Sequence, residues 1–217
     1  MKINWREQFI NLIVVILGIT IAFWLNSWAE GRKSKRLEEQ CTKGLMKDLT
    51  DDIGEMKHLI IYSENQLKDL NNMLSFMMGK TEASDSLTQQ LFTIQFNLPF
   101  TPQEATYQSL SGKIETISDF EIRNKIIEYY NQHYARLKLW DSSCKENIDQ
   151  FIKPVVLREL NFIERGQLDL KLFKSKELRN ALYAMQYLFM QRLAYCHTFL
   201  ETAEKLQEDL ENYQGQF

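Results

Sequence analysis

Residues Phe9 to Leu25 read FINLIVVILGITIAFWL, an apolar run without a single charge. As a helix rising about 1.5 Å per residue it is roughly 25 Å long. Trp5 precedes it, and Trp24 and Trp28 close it, so the outer rings sit roughly 30–35 Å apart along a helix axis. That is the spacing of two aromatic belts around a hydrocarbon core about 30 Å thick. The run therefore predicts a membrane anchor. A cleavable signal peptide needs small residues at the cut, whereas Asn26, Ser27, Trp28, Ala29 and Glu30 follow here. A buried core helix fits less well than an anchor, because the basic cluster Arg32, Lys33, Lys35 and Arg36 comes directly after the run, as at a membrane boundary.

Beyond the anchor enough chain remains, of 217 residues in all, for one domain with a real core. A net charge of −3 argues against nucleic acid as the main partner. Cys41, Cys144 and Cys196 are odd in number, widely spaced and set within apolar patterns, so they read as small buried hydrophobes. Only three prolines and eight glycines interrupt the chain, and no hairpin turn or sustained β-branched alternation is visible. The fold class is all-α.

After the basic cluster, Leu37, Cys41, Leu45, Leu49, Ile53, Met56, Ile60, Ser63, Leu67, Leu70, Leu74 and Met77 recur at three- and four-residue steps. From Ile53 onward the steps approach a heptad seam. They predict one helix running from the anchor to about Met78, with Gly79 as its stop. Asp85 or Ser86 is placed to cap a short helix through Gln95, and Phe96–Phe100 reads as a loop. Thr101-Pro102-Gln103-Glu104 has the form of a capping box with proline at the first helical position, predicting a helix that ends at Gly112. Ser118-Asp119-Phe120-Glu121 repeats that form. It opens a second stripe through Phe120, Ile127, Tyr130, Tyr134, Leu137, Cys144, Ile148 and Phe151, which Pro154 ends or kinks. A loop with Gly166 follows. Ser175 opens a last helix carrying Leu178, Leu182, Met185, Phe189, Cys196, Leu200, Ala203, Leu206, Leu210 and Tyr213.

Long helices with one apolar face bury it against each other or against a partner. The expected architecture is an N-terminal transmembrane helix continuing into an elongated antiparallel helical bundle. The anchor occupies residues 1–30 and the bundle domain 31–217, with the Lys80–Gly112 segment packed on as a fourth element.

Catalytic chemistry is hard to find. A di-iron bundle needs two E-x-x-H pairs and two further glutamates; the chain has one pair, Glu55 and His58. Asp48, Asp51, Asp52 and Glu55 read more simply as a solvated acidic face. Gly79-Lys80-Thr81 echoes the end of a phosphate-binding loop but lacks its first glycine and follows a helix instead of a strand. Ser111-Gly112-Lys113 has no glycine-rich context, and adjacent Cys196 and His197 point to different helix faces. The expectation is no catalytic, cofactor-binding or metal site, and no cofactor.

The anchor carries its own pattern. Gly18, Ala22 and Asn26 are spaced by four, with Asn11 on nearly the same face. Small residues four apart let helices approach, and an asparagine in lipid gains from a partner on another helix. These four residues form the candidate association face, for a protein partner or a second copy. Trp5, Trp24, Trp28, Arg32, Lys33, Lys35 and Arg36 are the candidate interface anchors on the lipid bilayer. Lys2 and Arg6 precede the run while Arg32, Lys33, Lys35, Arg36, Lys43 and Lys47 follow it, a balance that mildly favours a cytoplasmic C-terminal domain.

The stretch from Leu17 through Trp24-Leu25-Asn26-Ser27-Trp28-Ala29-Glu30-Gly31-Arg32-Lys33 resembles the signature I-G-I-L-I-A-L-x-I-N-N-W-N-E-x-R-K. That signature belongs to a family of Bacteroidota membrane proteins catalogued as a domain of unknown function. Ser27 and Ala29 stand where the pattern has asparagines. Two later stretches are similar to the family too: Leu45-x-x-Asp48-Leu49-x-x-Asp52, and a segment from Tyr107 through Leu110-Ser111-Gly112-Lys113-Ile114, Ile117-Ser118-Asp119 and Ile122-Arg123 to Tyr129-Tyr130. The resemblance spans roughly residues 9 to 130. It implies a single-pass membrane protein with an α-helical domain and no assigned activity. The longer basic leader common in the family implies a cytoplasmic N-terminus, against the charge balance above.

The sequence as a whole reads as a non-enzymatic, membrane-anchored helical protein acting as scaffold, sensor or subunit of a membrane complex. The alternative is a bundle that binds a small ligand or metal through groups such as Tyr130, Tyr134 and Glu55.

Overall fold

The computed structural model describes the backbone of residues 5–110, 112–161, 167–168 and 170–215, and side chains within 9–158 and 172–215. Helix α1, Trp5–Met77, is a single element of 73 residues, about 110 Å long, and Gly18, Gly31, Gly44 and Gly54 all sit inside it. Its stop is the one expected. Gly79 adopts φ +70°, its amide donates to Phe76 O, and Lys80 N donates to Ser75 O. This left-handed closure satisfies the last carbonyls of the helix and disposes of the phosphate-loop echo.

Two further long elements pack along α1, the first parallel to it, with Ser118 beside Glu38 and Tyr129 beside Asp52, and the second running back along it. The first is a composite of α4 (Phe120–Glu128), α5 (Tyr134–Asn147) and α6 (Lys153–Glu159), joined without a break by π-helical turns at Tyr129–His133 and Ile148–Ile152. Pro154 falls just after the second π turn and the helix continues through it as α6, so the proline does not end the element. The second is α7, Lys176–Gln214, opened by Ser175, whose Oγ accepts from Leu178 N at 3.3 Å. A two-residue antiparallel pair, Leu160–Asn161 with Gln167–Leu168, lies between them. The Gly166 loop lies outside the described residues. Three long helices packed on one another give the expected all-helical bundle, but only α7 is antiparallel to α1. The segment from α2 (Ser86–Thr93) through α3 (Ala105–Ser109) already runs back along α1, so the α4–α6 composite starts again at the Glu38 end and is parallel to it.

Three starts differ from expectation. Thr101, Pro102 and Gln103 stay non-helical and α3 runs only from Ala105 to Ser109, far shorter than the box suggested. The amides a cap would have satisfied are taken instead by carboxylates of α1, as set out below. In the next box Asp119, not Ser118, is the cap: its Oδ1 accepts from Ile122 N at 2.9 Å. Ahead of α2, Asp85 makes no side-chain cap bond, and α2 ends at Thr93 rather than Gln95.

The stripes are right in phase and wrong at their edges. Leu37, Phe120 and Phe151 face solvent and Ile127 is half-buried, while Glu38, Leu59, Met73, Ile122, Ile126 and Ile152 join the buried bands. Tyr129 and Tyr130 are both buried, although neighbours on a regular helix point about 100° apart; the π turn supplies the extra residue that lets both face inward. The core forms two apolar clusters. One is built on Leu45–Ile60 of α1 and the Cys196–Tyr213 half of α7, the other on Leu70–Leu74 and the Leu178–Phe189 half.

The N-terminal part of α1 differs from all of this. From Phe9 through Leu37 every residue is exposed, Phe23 at 70 % and Trp24 at 66 %, and packing begins at Glu38. It is the one helix among the described residues long and apolar enough to cross a membrane.

Candidate functional site

The acidic residues that read as a solvated face are mostly not solvated. Along α1, Glu38 Oε1 accepts from Ser118 N (2.5 Å), Asp48 Oδ2 from Thr106 N (2.9 Å), Asp52 Oδ1 from Gln103 N (2.9 Å) and Glu55 Oε1 from Thr101 N (2.8 Å). Of the acidic quartet Asp48, Asp51, Asp52 and Glu55, only Asp51 is fully exposed. Four carboxylates on one helix thus clasp the backbone of segment 101–118, whose regular structure is limited to α3 and one 3-10 turn at Ile114–Thr116. Charge-assisted bonds of this kind are roughly twice as strong as neutral ones, and here they replace the secondary structure the segment lacks. Gly44 lets the segment come close: a Cβ there would sit 2.8 Å from both Thr106 Cγ2 and Oγ1.

Asp52 is the centre of the clasp. It is fully buried, and its Oδ2 accepts from Tyr129 Oη at 2.9 Å and from Tyr134 Oη. Burial lifts its carboxyl to about 6, against the hydrogen bonds from Tyr134, Gln103 and Tyr129, which hold it down. Burial also pushes the Tyr129, Tyr130 and Tyr134 phenols far above their ordinary range, so they remain donors at any physiological pH. Tyr107 stacks on Tyr130 with ring centroids 4.3 Å apart and planes 5° from parallel. The two later stretches of the family resemblance, Leu45 to Asp52 and Tyr107 to Tyr130, are the ones that meet here.

A second polar node lies between the two apolar clusters. Arg192 on α7 has no exposed surface. Its Nε donates to Asp141 Oδ1 (2.6 Å), its Nη1 to Ser63 Oγ (3.0 Å) and its Nη2 to Leu98 O (2.5 Å). Asp141 in turn accepts from Phe100 N through Oδ2 at 3.0 Å. The node joins α1, α5, α7 and the 97–100 loop at one level. Sequence reading missed it, yet a signal was present. Position 192 lies three residues after Phe189 and four before Cys196, and position 141 lies four after Leu137 and three before Cys144. A charge in the gap of each core stripe is a buried pair waiting to be noticed.

Between that loop and α5 runs a groove of about 730 Å³, walled by Phe96, Pro99, Phe100 and Pro102 on one side and by Tyr130, Tyr134 and Leu137 on the other. Lys138, Lys145 and Lys153 stand along it, the last two sharing Asp149 at 2.5 and 2.6 Å. Two of its residues carry buried polar atoms without a hydrogen-bond partner: Tyr130 Oη and Asn97 Oδ1.

The residues expected to matter divide accordingly. Tyr130 and Tyr134 meet at the groove, whereas Glu55 is engaged by the Thr101 amide and His58 is exposed. No group of three or more His, Cys, Asp or Glu among the described residues is placed to hold a metal ion. Cys144 and Cys196 are buried and free, with burial raising their thiols to about 12 and about 11, while Cys41 is half-buried. On the apolar N-terminal part of α1, Asn11, Gly18, Ala22 and Asn26 are all exposed, and the Asn26 amide donates to Glu30 Oε1 at 3.0 Å. Trp24 and Trp28 are exposed, and the Arg32 guanidinium lies over the Trp28 ring, 4.7 Å from its centroid. Lys33, Lys35 and Arg36 are exposed beside it; Trp5 lies at the start of α1, its side chain outside the described residues.

An all-helical bundle built on one helix whose apolar N-terminal part stands outside the core is the class of protein these observations define. Within that class the chain belongs to the Family of unknown function (DUF6090), whose model matches residues 11–178. No curated protein and no solved structure matches it significantly.

Proposed function

We propose that this is a single-pass membrane protein whose bundle, carried on a rigid helical stalk, acts without catalysis as a scaffold, sensor or subunit of a membrane complex. One observation carries the reading: α1 passes from an exposed apolar segment into the bundle core without a break. Between Trp28 and Leu37 every residue is exposed and the helix is continuous, so movement of the anchor passes along it to the clasp residues. Exposed apolar side chains all round a helix are stable in lipid and costly in water, which supports insertion. The aromatic and basic residues at its C-terminal end support a boundary near Trp28 to Arg36. The charge balance favours a cytoplasmic bundle.

The test is gentle detergent extraction of tagged protein from its native membrane, followed by identification and stoichiometry of what co-purifies. A defined partner or a homo-oligomer is expected. A monomer extracted alone under every mild condition, or a protein found free of the membrane pellet, overturns the reading. Inserting a flexible Gly/Ser segment at Gly31 tests the coupling: partner recovery is expected to fall while the bundle melts as before. Unchanged recovery would remove the stalk from the mechanism.

A further inference from the structure

We propose that the groove between α5 and the 95–104 segment binds a diffusible single-chain amphipath, a linear apolar chain ending in a carboxylate or phosphate. The volume, about 730 Å³, is that of a small-molecule site. Its walls are preformed. The 95–104 backbone is held by Tyr62 and Gln66, whose side chains donate to Phe96 O at 3.0 and 2.7 Å, by Arg192 at Leu98 O, and by Asp141 and Glu55 at the Phe100 and Thr101 amides. A segment so tied does not collapse into the space beside it. Two π-helical turns bound the other wall, at Tyr129–His133 and Ile148–Ile152, and such turns gather at functional sites.

Shape and charge select the ligand. The lining runs lengthwise along the composite helix, from Tyr130 in the first π turn through α5 to Lys153 at the start of α6, which suits a linear molecule better than a compact one. Aromatic rings and prolines line the Tyr130 end. Lys138, Lys145 and Lys153 recur along the wall, opposed by Asp149 and Glu104, while the Asp141 charge is already met by Arg192. The cationic excess lies at the Lys145–Lys153 end, away from Glu104, so an anionic head belongs there and the chain lies toward Phe100 and Tyr134. The unpartnered Tyr130 Oη, on a residue only 5 % exposed, marks a wall with hydrogen-bonding capacity to spare.

The site itself is independent of the membrane reading, but the choice of a diffusible molecule rests on it. Tyr62, which touches the groove wall, lies roughly 55 Å along α1 from Leu25, so a lipid still seated in the bilayer does not reach.

Full-length protein in lipid nanodiscs is irradiated with a palmitate carrying a diazirine in its chain, and in a parallel arm with the corresponding lysophosphatidate; labelled peptides are mapped. Label is expected within 96–102 and 130–153. The arm that labels more strongly identifies the head group as carboxylate or phosphate. Ala135→Trp, which fills the groove from an exposed helix position, and Lys145→Glu with Lys153→Glu should each cut labelling about tenfold or more, the loss of a charge-assisted contact or of the apolar seat. Leu139→Trp, off the groove wall, should leave it unchanged. Unlabelled palmitate should compete and its methyl ester should not. Label confined to residues 9–25, labelling of Ala135→Trp at the wild-type level, or equal competition by the ester overturns the proposal. Should Ala135→Trp lose its wild-type melting temperature, Ser142→Trp takes its place. Failure to enter nanodiscs counts against the membrane reading alone, since groove labelling is then read on the same chain in solution.

Discussion

Helix α1 is one helix in two environments. From Phe9 to Leu37 every residue is exposed; from Glu38 to Met77 it supplies the floor of the bundle and the carboxylates that clasp the 101–118 segment. The backbone is the same in both halves, so the difference lies in the side chains. The first half opens with the uncharged run Phe9–Leu25, exposed on every side, and closes with the basic cluster Arg32–Arg36. The second buries a band and keeps its acids for the backbone of another segment. An asparagine in the first, Asn26, spends its amide on its own helix. An aspartate in the second, Asp52, binds three groups brought from elsewhere in the chain. The contrast predicts that the two halves fail separately.

The largest effect should come from Arg192→Met. Removing one partner of a buried, hydrogen-bonded ion pair typically costs about 3–5 kcal/mol, because the remaining charge stays buried without compensation. Asp141 Oδ1, Ser63 Oγ and Leu98 O would each lose the Arg192 donor, leaving Asp141 only the Phe100 amide. Thermal unfolding followed by circular dichroism should show a large drop in melting temperature, while the chain still sediments with membranes. Adding Asp141→Leu should recover part of the loss, since no lone carboxylate then remains. An unchanged melting temperature, or loss of membrane association together with the bundle, would break the separation of the two halves.

That node also shows where sequence reading reaches its limit. The exposed apolar N-terminal helix, the α1 stripe, the Gly79 stop and the Ser175 cap were legible because each follows from a local pattern: a run, a period, a turn, a hydroxyl. Thr101 to Glu104 had the local form of a cap and did not act as one. Its amides found stronger acceptors, Glu55 and Asp52, about fifty residues away, and no local pattern reports a competitor at that distance. Asp48, Asp52 and Glu55 were misread for the same reason, since an acid bonded to a distant amide looks like an acid facing water. The groove depends on where the pinned 95–104 segment lies beside α5, which tertiary packing decides. Its tyrosines could be named in advance, but not the lysine row opposite the prolines.

Asp52 gives the second test. Its folded carboxyl lies at about 6 against an ordinary 3.8, so the folded state binds the proton more tightly than the unfolded chain does. The stabilisation from protonation is present below the unfolded value and is lost as pH rises from about 4 to about 6. A shift of that size corresponds to about 3 kcal/mol. Asp52→Asn cannot titrate, so the stability difference between wild type and variant should change by about that amount between pH 4 and pH 7, in the direction that disfavours wild type at the higher pH. Urea titrations at a series of pH values measure it. Parallel curves for the two proteins would show that Asp52 is not the buried acid of the clasp.

Glycines sharpen the comparison within α1. Gly44→Ala places a methyl 2.8 Å from Thr106, and overpacking of this kind costs about 1–3 kcal/mol. Gly54 lies ten residues further along the same helix with nothing within 4 Å of the added carbon. There alanine should stabilise by up to about 1 kcal/mol through helix propensity alone. Opposite signs for one substitution in one helix would locate the close approach of the 101–118 segment at Gly44. Equal effects in denaturant melts would mean that Thr106 moves aside freely.

Gly18 carries the smallest expected effect on the bundle and the most informative one on the anchor. Nothing lies within 4 Å of a Cβ added there, so within one chain Gly18→Ile meets no obstacle and should leave the melting of the bundle unchanged. A second helix packed on the face of Asn11, Gly18, Ala22 and Asn26 would feel the branched side chain at once, because close approach depends on the missing Cβ. Crosslinking in native membranes should therefore show fewer dimers or less captured partner for Gly18→Ile, and wild-type levels for Ile19→Leu on a neighbouring face. If Gly18→Ile crosslinks as wild type does, any association made by this protein has to be sought on the bundle, where α7 exposes Tyr187 and Met190, and not in the anchor.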